Sequence, residues 1–91
     1  MILISVHLHM ELPEVHSLKG RRAVLNSLKE KLKAFNLSLL DVSGEYAREA
    51  DIFFVYLSHD AKSAAQYKEK IEAMLERNFS EYLYELEYEE V

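Results

Sequence analysis

Apolar residues fall at every second position from the start of the chain. Ile2, Ile4, Val6, Leu8, Met10 and Leu12 share one parity, while Leu3, Ser5, His7, His9 and Glu11 share the other. A period of two over this length predicts a strand with one face toward a core. Pro13 ends it, because proline has no N–H to give to a ladder. The period then changes. Leu18, Leu25, Leu28, Leu32 and Phe35 recur at helical spacing, with Lys29, Glu30, Lys31 and Lys33 mostly on the other side. This predicts an amphipathic helix of about five turns, capped by Ser17 and stopped near Asn36.

Residues 37–43 (LSLLDVS) read as a second strand. Residues 44–50 form a charged connection. Residues 51–58 (DIFFVYLS) are apolar on both faces, the mark of a strand central in its sheet. Asp60 caps a second helix, whose buried stripe is predicted as Ala61, Ala64, Ala65, Lys68, Ile71, Met74 and Leu75, with Lys68 reaching out of it and a stop near Asn78. Residues 81–90 alternate again, Tyr82, Tyr84, Leu86 and Tyr88 against Leu83, Glu85, Glu87 and Glu89. The aromatic set is expected to face the core.

The order strand, helix, strand, strand, helix, strand permits two right-handed βαβ crossovers. The expected fold is therefore α+β, a ferredoxin-like split βαβ sandwich occupying residues 1–91 as one domain. The first and third strands are central, the fourth and second lie at the edges, both helices cover one sheet face, and the other face stays open.

Composition narrows the chemistry. With no cysteine among 91 residues, disulfides, thiolate metal sites and a cysteine nucleophile are excluded. No apolar run approaches the ~20 residues of a membrane span, and the first residues lack the features of a secretory signal, so a cytoplasmic protein is expected. The net charge is −5, unevenly placed. Residues 1–36 hold six Lys/Arg against three Asp/Glu, and the remainder five against thirteen. An acidic total disfavours general nucleic-acid binding, but a local basic patch opens the first helix.

That patch lies within Leu12-Pro13-Glu14-Val15-His16-Ser17-Leu18-Lys19-Gly20-Arg21-Arg22. The segment, with the elements after it, resembles the YlxP-like family of small bacterial proteins, which shows a similar strand, a Leu-Pro-x-x-x-Ser-Leu-Lys motif and a basic pair opening a helix. The resemblance covers nearly the whole chain. It implies a ferredoxin-like fold and genes that neighbour those for translation initiation and ribosome maturation, with no assigned activity. Gly20 stands where many members carry a charged helix former, and the last strand is unusually rich in Tyr and Glu.

Three surfaces could carry function. His16, Ser17, Lys19, Gly20, Arg21 and Arg22 sit where free backbone N–H groups and the positive dipole end attract anions such as RNA phosphates. The plainer alternative is a simple cap whose cations pair with nearby acids. The open sheet face offers His7, His9 and Glu11 from the first strand, joined by Phe53, or by Phe54 with Tyr56, from the third. It suits a homodimer or protein partner at least as well as base stacking, since ribonucleoprotein signatures are absent. His7 and His9 point the same way about 6.5–7 Å apart, and with Glu11 they offer imidazole and carboxylate donors. Nothing in the sequence fixes further ligands, and His59 is unplaced, so neither metal nor cofactor is expected. No nucleophile elbow, phosphate loop or His-Glu-x-x-His motif is present, and an enzyme is not expected. The leading expectation is a non-enzymatic module contacting RNA or a ribosomal particle through the helix start. The alternative is a homodimeric or protein-partner adaptor using the open face.

Overall fold

The computed structural model describes residues 1–91. Strands β1 (Ile2–Glu11), β2 (Ser38–Asp41), β3 (Glu49–Ser58) and β4 (Leu83–Glu90) and helices α1 (Leu18–Leu32) and α2 (Ala61–Phe79) follow in the order β1 α1 β2 β3 α2 β4. The sheet order is β2-β3-β1-β4, and all three pairings are antiparallel. This is the ferredoxin-like split βαβ arrangement.

β1 lies between β3 and β4, and its alternation sorts the two faces. Val6, Leu8, Met10 and, just past the strand, Leu12 are buried. So are Ile52, Phe54 and Tyr56 of β3, Leu25, Leu28 and Leu32 of α1, and Ile71, Met74, Leu75 and Phe79 of α2. No polar or charged residue is buried, so the core rests on apolar burial and packing. On β4, Tyr84, Leu86 and Tyr88 are partly buried and pack against this core, whereas Leu83, Glu85, Glu87 and Glu89 are exposed.

The local signals act largely where the sequence puts them. Ser17 has extended backbone, and its hydroxyl accepts from the Gly20 N–H at 3.0 Å. Asp60 does the same for the Ser63 N–H at 2.8 Å. Three expectations shift. The first helix ends at Leu32, short of five turns, because Ala34 N–H and Phe35 N–H turn back to the Lys31 and Leu32 carbonyls and tighten the end. Phe35 still packs on the core from that turn. The second strand shrinks from 37–43 to Ser38–Asp41, and the Asp41 carboxylate takes the Ser43 N–H. On α2, Ala61 and Ala65 are exposed, whereas Ala64 is buried; Lys68 is exposed, as expected. Tyr67 takes the space beside Ala64, its ring 4.8 Å from Tyr56 and 5.6 Å from Phe35. An aromatic ring reaches the sheet from a helix angle at which the short alanines cannot.

Phe54 and Phe53 are adjacent and differ only in the face they occupy: Phe54 is fully buried and Phe53 is 43% exposed. Phe54→Ala is expected to cost about 3–5 kcal/mol of unfolding free energy, and Phe53→Ala less than about 1 kcal/mol. Denaturant titrations of the two variants check the faces; equal losses would contradict them.

Candidate functional site

The basic helix start divides once its partners are drawn. Arg21 turns away from solvent: one Nη1 donates to the Tyr46 carbonyl at 3.0 Å and the Glu49 carbonyl at 3.1 Å. It ties the first turn of α1 to the segment leading into β3. His16 Nδ1 accepts from Arg48 Nη2 at 3.2 Å. Lys29 pairs with Asp41 at 3.2 Å, joining α1 to the edge strand. Ser17 is occupied as a cap. A Cβ at Gly20 would lie 3.4 Å from both Ser17 Oγ and Val15 Cγ1, so glycine keeps the capping turn uncrowded. Lys19 and Arg22 form no ion pair or side-chain hydrogen bond and point their charge to solvent. Of the cations in the sequence patch, these two remain available to an external anion.

The open sheet face gathers more chemistry. His7, His9 and Glu11 lie on it as expected, and the β1–β3 register brings His9 opposite Asp51, His7 opposite Phe53 and Glu11 opposite Glu49. One Asp51 oxygen serves both histidines: His7 Nε2 lies 2.8 Å from Oδ1 and His9 Nδ1 2.9 Å from the same atom. The His7 ring also stacks on Phe53, centroids 4.6 Å apart and planes within 10°. Beyond His9, its Nε2 is 3.8 Å from Glu11 Oε1.

Tyr56, which the sequence pattern allows on this face, is a correction. It is 3% exposed and belongs to the core with Phe54. Residues 52–57 are apolar at both parities, so alternation alone cannot orient them. The register does: Tyr56 is opposite Ile4 and Phe54 opposite Val6, both of the core parity. The open aromatic is Phe53, flanked by Val55 and Leu57.

Asp51 was absent from the sequence-predicted site. Standing first in the apolar run, it reads as a strand boundary, yet the strand begins at Glu49. Only the pairing of β3 with β1 sets Asp51 beside His9, and no local pattern in the apolar run marks it.

The cluster is electrostatically coupled. The hydrogen bond to Asp51 raises the His9 pKa above its ordinary value; partial burial opposes this, and the charges of Asp51, Glu49 and Glu11 add to it. Burial pushes the Asp51 carboxyl up, but the hydrogen bonds from His9 and His7 outweigh it and hold the group below the usual carboxylate range.

The fold and this site define an α+β sandwich whose helices close one sheet face and leave a polar and apolar surface on the other. The chain belongs to the family described as Protein of unknown function (DUF503), whose model spans residues 3–88. No curated protein matches its sequence. Among solved structures, a protein of unknown function from Nitrosomonas europaea is 15% identical, with a TM-score of 0.60, covering 100% of this chain and 90% of that one. The de novo designed protein Foldit4 is 13% identical, with a TM-score of 0.53, covering 97% and 94%. A dimeric ferredoxin-like protein from an uncultured marine organism is 15% identical, with a TM-score of 0.48, covering 100% and 93%. For the first two, at these identities, the likeness is one of fold. No helix is long and apolar enough to cross a membrane.

The His9–Asp51 pair makes stability depend on pH with a defined sign. His9 gains its partner on folding and its pKa rises, so its contribution is complete below the unfolded histidine value of about 6.5. It is lost as pH climbs through the higher folded value. The Asp51 contribution runs the other way, present above the unfolded carboxylate pKa and lost as pH falls through the depressed one. NMR titration is expected to place the His9 imidazole above the ordinary histidine pKa in the native chain and to return it toward that value in Asp51→Asn. An unchanged His9 midpoint in the variant would break the link.

Proposed function

We propose that this protein is a non-enzymatic, YlxP-like binding module that docks a protein segment, apolar along one side and basic along the other, on the open face of its sheet. One observation carries this: beyond the end that holds Glu49, Asp51 and Leu83, the open face is divided lengthwise. Along β2 and β3 it exposes Leu40, Phe53, Val55 and Leu57, at 65%, 43%, 37% and 61%. Along β4 it exposes Glu85, Glu87 and Glu89. These sit opposite His9, His7 and Ser5 of β1; His7 lies between Phe53 and Glu87, and His9 between Asp51 and Glu85.

Contiguous exposed apolar residues with a charged border are the mark of an interaction surface. The border selects the occupant. Lys or Arg over the β4 glutamates and apolar side chains over Phe53 and Leu57 satisfy both halves at once. A second copy satisfies them poorly. A two-fold axis across the strands sets glutamates against glutamates, and one along the strands sets glutamates against Leu40 and Phe53. RNA meets the same acids on this face, and of the cations that open α1 only Lys19 and Arg22 are free to meet it. The translation-linked gene neighbourhood of the resembling family suits a partner with basic surfaces, and the chain would act there by holding that partner rather than by chemistry.

A fluorescein-labelled helical peptide of alternating Leu and Lys faces is the probe, with its Leu/Glu counterpart as control. The basic peptide is expected to bind saturably, and the acidic one not at all. Phe53→Asp should abolish the anisotropy change. Glu85→Lys with Glu87→Lys should weaken it and flatten its salt dependence. Equal binding of the two peptides would overturn the proposal. So would a monomer–dimer equilibrium at micromolar concentration in light scattering that Phe53→Asp dissolves. Binding of polyuridine that is lost in Lys19→Glu with Arg22→Glu, with no peptide binding, would replace it by the RNA reading.

A further inference from the structure

The geometry points to a divalent transition-metal site on the open sheet face, formed by His9, Glu11 and Glu49 and positioned by Asp51. One ligand atom from each of the three lies within 4.8 Å of the others. A zinc ion bound at about 2.0–2.2 Å to each holds such atoms about 3.3–3.6 Å apart. His9 Nε2 and Glu11 Oε1 stand at 3.8 Å, so small side-chain rotations close the set.

The imidazole is already oriented for this. His9 uses Nδ1 toward Asp51. With the N–H on Nδ1, the Nε2 lone pair is directed to the two glutamates. A carboxylate holding the far nitrogen of a ligating histidine is the arrangement that fixes tautomer and ring angle at zinc centres and makes the free nitrogen more basic. His7 bonds the same Asp51 oxygen from the other side and steadies the carboxylate without joining the ligands.

A second feature points the same way by a separate route. Glu11 and Glu49 are directly opposed across the β1–β3 ladder, and neither pairs with Lys or Arg. Like charges opposite one another weaken an antiparallel pair. A cation between them turns that repulsion into attraction. Arg21 reaches Glu49 only at its backbone carbonyl. The donor set, one imidazole and two carboxylates, suits zinc, manganese, iron or nickel better than copper(I), which prefers sulfur.

The competitor for this position is a proton. When zinc binds the imidazolium, the Nε2–H bond breaks, the Zn–N bond forms and the proton passes to buffer.

Calorimetry of the untagged chain with zinc chloride is the test. One zinc per chain is expected, with uptake weakening in acid and protons appearing in the buffer. His9→Gln and Glu49→Gln should each weaken binding by about tenfold or more, and Asp51→Asn by about tenfold; His59→Gln should leave it unchanged. Zinc should raise the melting temperature of the native chain, reversibly with chelator. Glu49→Gln should raise the metal-free melting temperature by removing the repulsion, and lose the response to zinc. Absence of saturable uptake at near-millimolar zinc would overturn the site. So would uptake indifferent to His9→Gln and Glu49→Gln in variants whose circular dichroism matches the native chain.

Discussion

The ladder between β1 and β3 is the constraint from which the remaining features follow. Its register pairs Ile2 with Ser58 through Glu11 with Glu49 without interruption. Because side chains alternate with a period of two, a slip of one residue would exchange the faces of one strand against the other. Val6 and Leu8 would still meet the helices, but Phe53 and Val55 would replace Phe54 and Ile52 beneath them. The same slip would take Asp51 away from His9. One set of backbone hydrogen bonds therefore fixes both the apolar side, where the free energy of folding is gained, and the polar side, where histidines and carboxylates meet. Neither side can be altered in register alone.

What the sequence makes legible depends on whether a signal is local. The caps at Ser17 and Asp60, the alternation of β1 and β4, and the order of elements are local, and they lead directly to the ferredoxin-like fold. The faces of β3 are not: Ile52, Phe53, Phe54, Val55, Tyr56 and Leu57 are all apolar, and only pairing with β1 separates Phe53 from Tyr56. The end of α1 depends on how tightly the chain must turn to reach the edge strand, a distance that periodicity does not measure. Arg21 is a similar case. A cation in a first helical turn looks free to meet an anion, because the carbonyls of Tyr46 and Glu49 that receive it lie more than twenty residues away in sequence.

The polar side of the sheet shows how a small fold acquires chemistry without a cavity. Its core buries no charged residue, so its ion pairs all lie at the surface. There Asp51 receives two imidazoles on one oxygen and is held ionised by them. Water still reaches this cluster: the His9 and Asp51 side chains are 29% and 27% exposed. Its energetics are accordingly gentler than those of an enclosed ion pair and more responsive to pH, salt and added ions.

The two borders of the sheet differ in a way that bears on how the molecule behaves in a crowded solution. At one side β2 offers only the four residues Ser38–Asp41. At the other, β4 runs for eight residues but carries Glu85, Glu87, Glu89 and Glu90. Unpaired strand edges invite polymerisation, and brevity and repeated like charge are two of the devices that prevent it. With brevity guarding one margin and repulsion the other, strand-on-strand growth is discouraged from both directions. The chain can leave a broad apolar surface uncovered and still resist building fibrils from its own copies.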